Sequence, residues 1–156
     1  MNKKLIIFDL DGVLYDSKII HFESLNSALT LIDKSFAISY EEHLATFDGL
    51  PTKKKLALLN ENKGLPKNQN ERIYDLKQKL TMESLDSLQK NDAILNLIVA
   101  LKNEGYFLAC ASNSIKSTVE KVLRKLELLD HFHLILSNED VVNPKPHPEI
   151  YWKAML

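Results

Sequence analysis

The stretch LIIFDLDGVLYDS, Leu5–Ser17, runs four apolar residues straight into Asp9, Leu10, Asp11 and Gly12. Its first part is β-branched and aromatic, the composition of a short strand buried on both faces. On an extended chain Asp9 and Asp11 point to one side while Leu10 points into the core. Two carboxylates at the end of a buried strand cost stability unless something compensates them. Gly12 then supplies turn chemistry, and Asp16 or Ser17 can cap a following helix. The strand ends in a candidate site.

Outward from that stretch, the middle of the chain carries helical spacing and no strand pattern. Apolar residues recur through Lys18–Asp33, and further helices are predicted at Tyr40–Thr46, Thr52–Asn62 and Asn68–Gln89, broken by the Gly/Pro stretches DGLPT and KGLPK. After Lys90 the texture changes. A helix over Asp92–Asn103, capped by Asp92, precedes a buried strand at Tyr106–Ala111. A helix over Thr118–Leu128, a strand at His133–Leu136 and a Pro-rich loop entering a last helix follow. This is the order of right-handed βαβ crossovers in a parallel sheet. The reading is an α/β, Rossmann-like core from residues 1–15 and 90–156, with an all-helical insert at 16–89.

Composition sets outer limits. The 156 residues are 45% apolar and 26% charged with a formal net charge of −1, which gives no reason to expect nucleic acid or an anionic membrane as a partner. The single cysteine, Cys110, sits in the apolar run YFLACAS and reads as a buried core thiol in a reducing, cytoplasmic setting. The apolar run near the N-terminus is short and contains Asp9 and Asp11, unlike a signal peptide or membrane span. Tyr151 and Trp152 read as core residues of the last helix, and Lys54 and Lys55 as solvated lysines on the outer face of theirs. The five histidines have no zinc-ligand spacing.

Ligands of open parallel sheets collect at the carboxyl ends of the strands. Asp9 and Asp11 follow the first strand here, Ser112 and Asn113 the second, and Lys145 lies in the loop after the third. Carboxylates, a hydroxyl beside backbone amides and a fixed cation suit phosphoryl transfer, which is mostly positioning and charge stabilisation. A carboxylate nucleophile beside a dianionic phosphate implies a Mg²⁺ ion with oxygen ligands.

FDLDGVLYDS, ASNS and NPKPHPEIY, in that order, resemble the haloacid dehalogenase-like hydrolases, in the branch of phosphoglycolate phosphatase and β-phosphoglucomutase. The resemblance covers nearly the whole chain and makes the helical insert that branch's cap domain. It implies Asp9 as the nucleophile that becomes an aspartyl-phosphate, and Asp11 as the acid and base for leaving group and water. It implies Asp9, through its carboxylate, and Asp11, through its backbone carbonyl, as the Mg²⁺ ligands. Ser112 with Asn113 and Gly12 would bind phosphate, and Lys145 would neutralise it and orient Asp9. His21 resembles a position that often carries histidine in this branch, a surface or packing role standing beside a substrate-facing one. Thr52 takes the place of an arginine that grips a second phosphate in the mutases.

The family's fourth motif, an acidic pair after a further strand, has no room in the eleven residues beyond Lys145. The sequence therefore implies a core incomplete at the C-terminus, a weakened Mg²⁺ site, lowered stability and activity, and an LIIF edge open to self-association or a second chain. Three functions stand open: a phosphatase of small phosphorylated metabolites, a sugar-phosphate mutase, and a catalytically incomplete domain that binds a phosphorylated ligand or a partner.

Overall fold

The computed structural model describes residues 4–156. In chain order, strand β1 (Leu5–Phe8) precedes helices α1 (Lys18–Thr30), α2 (Tyr40–Glu42), α3 (Thr52–Lys63), α4 (Asn70–Ser84) and α5 (Asp92–Asn103). Strand β2 (Phe107–Ala111), helix α6 (Lys116–Lys125), strand β3 (Leu134–Leu136) and helix α7 (Glu149–Met155) complete it. The chain divides into two compact units, Met1–Asp16 with Leu85–Leu156, and Ser17–Ser84. No helix among the described residues is long and apolar enough to cross a membrane.

The α/β unit is built on a parallel sheet ordered β1-β2-β3, with Leu5 opposite Phe107, Phe8 opposite Cys110 and Ala109 opposite Leu134. Central β2 has its last four residues buried. Its small Ala109 and Ala111 pack with Leu136 against Ile150 and Ala154 of α7, so the helix can lie close on that face. Strand β1 corrects the expectation of burial on both faces. All four of its residues are half-buried, because among the described residues β1 pairs with β2 alone and forms the sheet edge.

Other local expectations shift for identifiable reasons. Asn91, not Asp92, caps α5, its side-chain oxygen accepting from the Ala93 and Ile94 amides. Ser17 precedes α1 without a side-chain cap bond. Tyr151 and Trp152 are not core. They stand 38% and 52% exposed, since Ile150 and Ala154, one turn apart, take the buried face of α7.

The helical unit encloses Leu25, Ala28, Leu29, Ile38, Phe47, Leu56, Leu59, Leu65 and Ile73. In α3 the buried positions are Thr52, Lys55, Leu56 and Leu59, a helical i, i+3, i+4, i+7 stripe. Lys55 is therefore inward-facing and only 4% exposed, which corrects its expected outer placement, while Lys54 is exposed. The chain turns from α2 into a π-helical turn at His43–Phe47. There His43 is fully buried, its ring 5.5 Å from Phe22 and stacked at 6.4 Å on Tyr40. Neither ring nitrogen has a hydrogen-bond partner among the described residues.

Burial, followed by the Lys55 charge, pushes His43 down from 6.5 to about 4. The folded unit therefore holds a neutral imidazole, and acid protonates the unfolded chain first. Stability from this group is complete above 6.5 and is lost as pH falls toward 4. In urea unfolding, the wild type should lose about 2 kcal/mol more than His43→Phe between pH 7 and pH 5. Equal losses in the two proteins would show that His43 does not titrate this way.

Candidate active site

The site forms where β1 and β2 end, and it begins with backbone. Leu10 is fully buried, which anchors the chain between the two carboxylates. Beyond Asp11 the chain folds back sharply: the Val13 and Leu14 amides donate to Leu10 O, and the Gly12 amide to Tyr15 O at 2.9 Å. Gly12 sits at φ +77°, a conformation unfavourable for side chains with a Cβ. At the end of β2, the Ser112 amide continues the ladder by donating to Leu136 O at 3.0 Å.

Asp9 and Asp11 live in different electrostatic surroundings. Asp9 Oδ1 lies 2.8 Å from Lys145 Nζ and accepts from the Leu10 amide at 2.7 Å. Lys145 Nζ also donates to Ala111 O at 3.1 Å, so the cation is fixed between the two strand ends. Asp11 is surrounded by hydroxyls. Tyr15 donates to its Oδ1 at 3.1 Å, while Ser112 and Ser114 donate to its Oδ2 at 3.0 and 3.1 Å. Ser112 Oγ in turn accepts the Ser114 amide at 2.9 Å. Cys110, fully buried, has its thiol pushed up to about 12 by burial first and by the Asp9 and Asp11 charges next. It stays protonated and takes no nucleophilic part.

The loop carrying Lys145 is tied down twice. Asn113 makes a reciprocal amide pair with it: Asn113 Nδ2 donates to Lys145 O at 3.0 Å, and the Lys145 amide donates to Asn113 Oδ1 at 2.9 Å. Farther along, the Glu149 carboxylate accepts from the Val142 and Asn143 amides at 2.8 and 2.9 Å. Those bonds hold the Glu149 carboxyl below its ordinary value.

Asp9, Asp11, Gly12, Ser112, Asn113 and Lys145 are thus assembled in one unit. His21 and Thr52 belong to the helical unit. There His21 Nδ1 lies 3.3 Å from Lys77 Nζ, and Thr52 opens α3 after Pro51. Sequence reasoning did not anticipate Tyr15 or Ser114 as partners of Asp11. The usable signal is the glycine turn, which returns the chain to Asp11 four residues on. Among the described residues, no group of three or more His, Cys, Asp or Glu is placed to hold a metal ion. Asp9 and Asp11 nevertheless offer only hard oxygen donors, and neither Leu10 nor Lys145 engages Asp9 Oδ2. With both Asp11 carboxylate oxygens taken by hydroxyls, the Asp9 carboxylate and the Asp11 backbone carbonyl are the donors that would fit a Mg²⁺ ion, which keeps several waters and needs as few as one carboxylate.

Comparison with known proteins bears on this geometry. A family model described as haloacid dehalogenase-like hydrolase matches residues 6–156. A β-phosphoglucomutase of Bacillus subtilis is 34% identical over 97% of this chain and 68% of its own length. A phosphorylated carbohydrates phosphatase of Thermotoga maritima is 29% identical over 94% of this chain and 66% of its own. The chain thus spans about two thirds of the length of these relatives. Among solved structures, β-phosphoglucomutase from Clostridium difficile superposes with a TM-score of 0.83 at 24% identity, over 99% of this chain and 70% of that one. CbbY from Rhodobacter sphaeroides, in complex with xylulose-(1,5)bisphosphate, gives 0.85 at 21% identity, over 98% and 71%. At those identities the likeness concerns the fold.

The Asn113 amide pair makes a direct prediction. Asn113→Ala removes both bonds to Lys145, at a cost of about 1–3 kcal/mol. Amide exchange of residues 142–148 should quicken while that of β2 stays unchanged. Unaltered exchange in the loop would mean that other contacts hold it.

Proposed function

Because the chain belongs to the haloacid dehalogenase-like hydrolases, a family of enzymes, we propose that it carries the machinery of a Mg²⁺-dependent phosphatase of small phosphorylated metabolites. The observation that carries this reading is the Asp9–Lys145 contact at 2.8 Å, with Asp11 two residues away and tied to hydroxyls instead. One carboxylate is held beside a cation, as a nucleophile approaching an anion requires. The other is held by proton donors. Two like groups with different partners are suited to different tasks.

In this reading an Asp9 carboxylate oxygen attacks phosphorus, and the bond from phosphorus to the ester oxygen breaks. Asp11 delivers the proton that the departing oxygen needs. Water then attacks the aspartyl-phosphate, Asp11 takes the water's proton, and Asp9 is regenerated as inorganic phosphate leaves. Lys145 offsets charge on the phosphoryl oxygens and restrains Asp9. The Ser112 hydroxyl and the Asn113 backbone amide hold the non-reacting oxygens, and Gly12 lets the chain turn away without a side chain. The Asp9 carboxylate and the Asp11 backbone carbonyl would hold Mg²⁺, which would supply further neutralisation of the carboxylate–phosphate repulsion. The roles of His21 and Thr52 rest on the resemblance alone.

A mutase is the second reading, favoured by the 34% identity to a β-phosphoglucomutase. The threonine at position 52, where the mutases resembled here carry an arginine, supports the phosphatase instead. With Mg²⁺ present, the wild type should release inorganic phosphate from p-nitrophenyl phosphate and from sugar phosphates. Asp9→Asn should lower that release on the order of 10³-fold or more. Conversion of a sugar phosphate to its isomer without free phosphate would favour the mutase. Equal inertness of wild type and variant would end both readings.

A further inference from the structure

We propose that Tyr15 is a positioning residue for Asp11, and that Asp11 Oδ2 is the oxygen that handles the proton. The proposal deepens the phosphatase reading and rests on it for the role of Asp11.

The inference follows from how three hydroxyls are shared. Ser112 and Ser114 each own one hydroxyl proton, and both give it to Asp11 Oδ2. A phosphoryl group at the strand ends needs donors from the same place. A serine that serves a phosphoryl oxygen must let go of Oδ2, because one proton cannot satisfy two acceptors at full strength. Ser112 is fully buried and accepts the Ser114 amide, so its oxygen stays in place while its proton turns.

Tyr15 stands outside that exchange. Its phenol donates to the other oxygen, Oδ1, at 3.1 Å, and the residue is only 7% exposed. The Gly12 turn fixes its backbone through the 2.9 Å bond from the Gly12 amide to Tyr15 O. A buried phenol needs an acceptor, and this turn supplies Asp11. Ligand binding therefore strips donors from Oδ2 and leaves Oδ1 tethered. The carboxylate keeps its orientation at the moment Oδ2 becomes available to the leaving oxygen, and later to water.

The test compares Tyr15→Phe with wild type on two esters. For an alkyl phosphate such as glucose 6-phosphate, whose alkoxide needs a proton to depart, kcat/KM should fall about tenfold or more with KM held. For p-nitrophenyl phosphate, whose leaving group departs without one, kcat/KM should stay within about twofold. Equal losses on both esters, or no loss on either, overturn the proposal, because a merely structural role would not discriminate by leaving group. A crystal structure of the wild type with inorganic phosphate gives a second readout that needs no turnover. Ser112 or Ser114 should donate to the ion while Tyr15 remains on Oδ1. Phosphate bound with both serines still on Oδ2, Tyr15 displaced from Oδ1, or no phosphate bound at all would each overturn it. Failure to hydrolyse either ester sinks the phosphatase reading alone, and the phosphate-bound geometry still decides the role of Tyr15.

Discussion

The contact between Lys145 and Asp9 is the constraint around which the α/β unit is arranged. The Asp9 carboxylate is 41% exposed, so water helps to solvate it and its counter-charge acts mainly to fix its position. Lys145 supplies that charge from a loop 136 residues farther along the chain. Its ammonium group is anchored to Ala111 O at the end of β2, so the ion pair also fixes how the first two strands finish. Asn113 holds the lysine's own backbone, and Glu149 holds the backbone just before it. A lysine has a flexible stem and considerable rotamer entropy to lose, and these ties lower what must be lost on binding.

Asp11 is compensated by a different device. Three neutral hydroxyls surround it, and each can turn to another acceptor. An ion pair resists rearrangement, whereas a hydroxyl needs only a torsion. The two carboxylates are therefore held with different stiffness, although only one residue separates them.

Much of this was legible from Asp9, Asp11, Gly12, Ser112 and Lys145, because acidic, hydroxyl and basic residues after successive strands gather at one end of a parallel sheet. The succession of strands and helices along the chain and the all-helical middle followed from periodicity. The phase of that periodicity was harder to read. In α3 the buried stripe happens to include Lys55, and a rule that lysines face water fails there. Helix α7 has seven residues, apolar on several sides, so its pattern could not show that Ile150 and Ala154 would be buried while Trp152 stayed exposed. The partners of Asp11 depend on the exact path of the Gly12 turn, which sequence spacing does not specify. Burial of β1 depends on what lies beside it, and a strand's composition does not report its neighbours.

The pairing of β1 with β2 carries a kinetic consequence. Ser112 and Ser114 reach Asp11 across separations of 101 and 103 residues. Most of that span is the helical unit, whose own helix pairing closes shorter loops, with His21 meeting Lys77 56 residues on. Joining distant ends of a flexible chain costs entropy that grows with its length, and contacts between distant residues slow folding. A collapsed helical unit shortens the effective loop before the strands meet. Were the helical unit to form first, the two carboxylates would meet their partners only in the closing stage of folding.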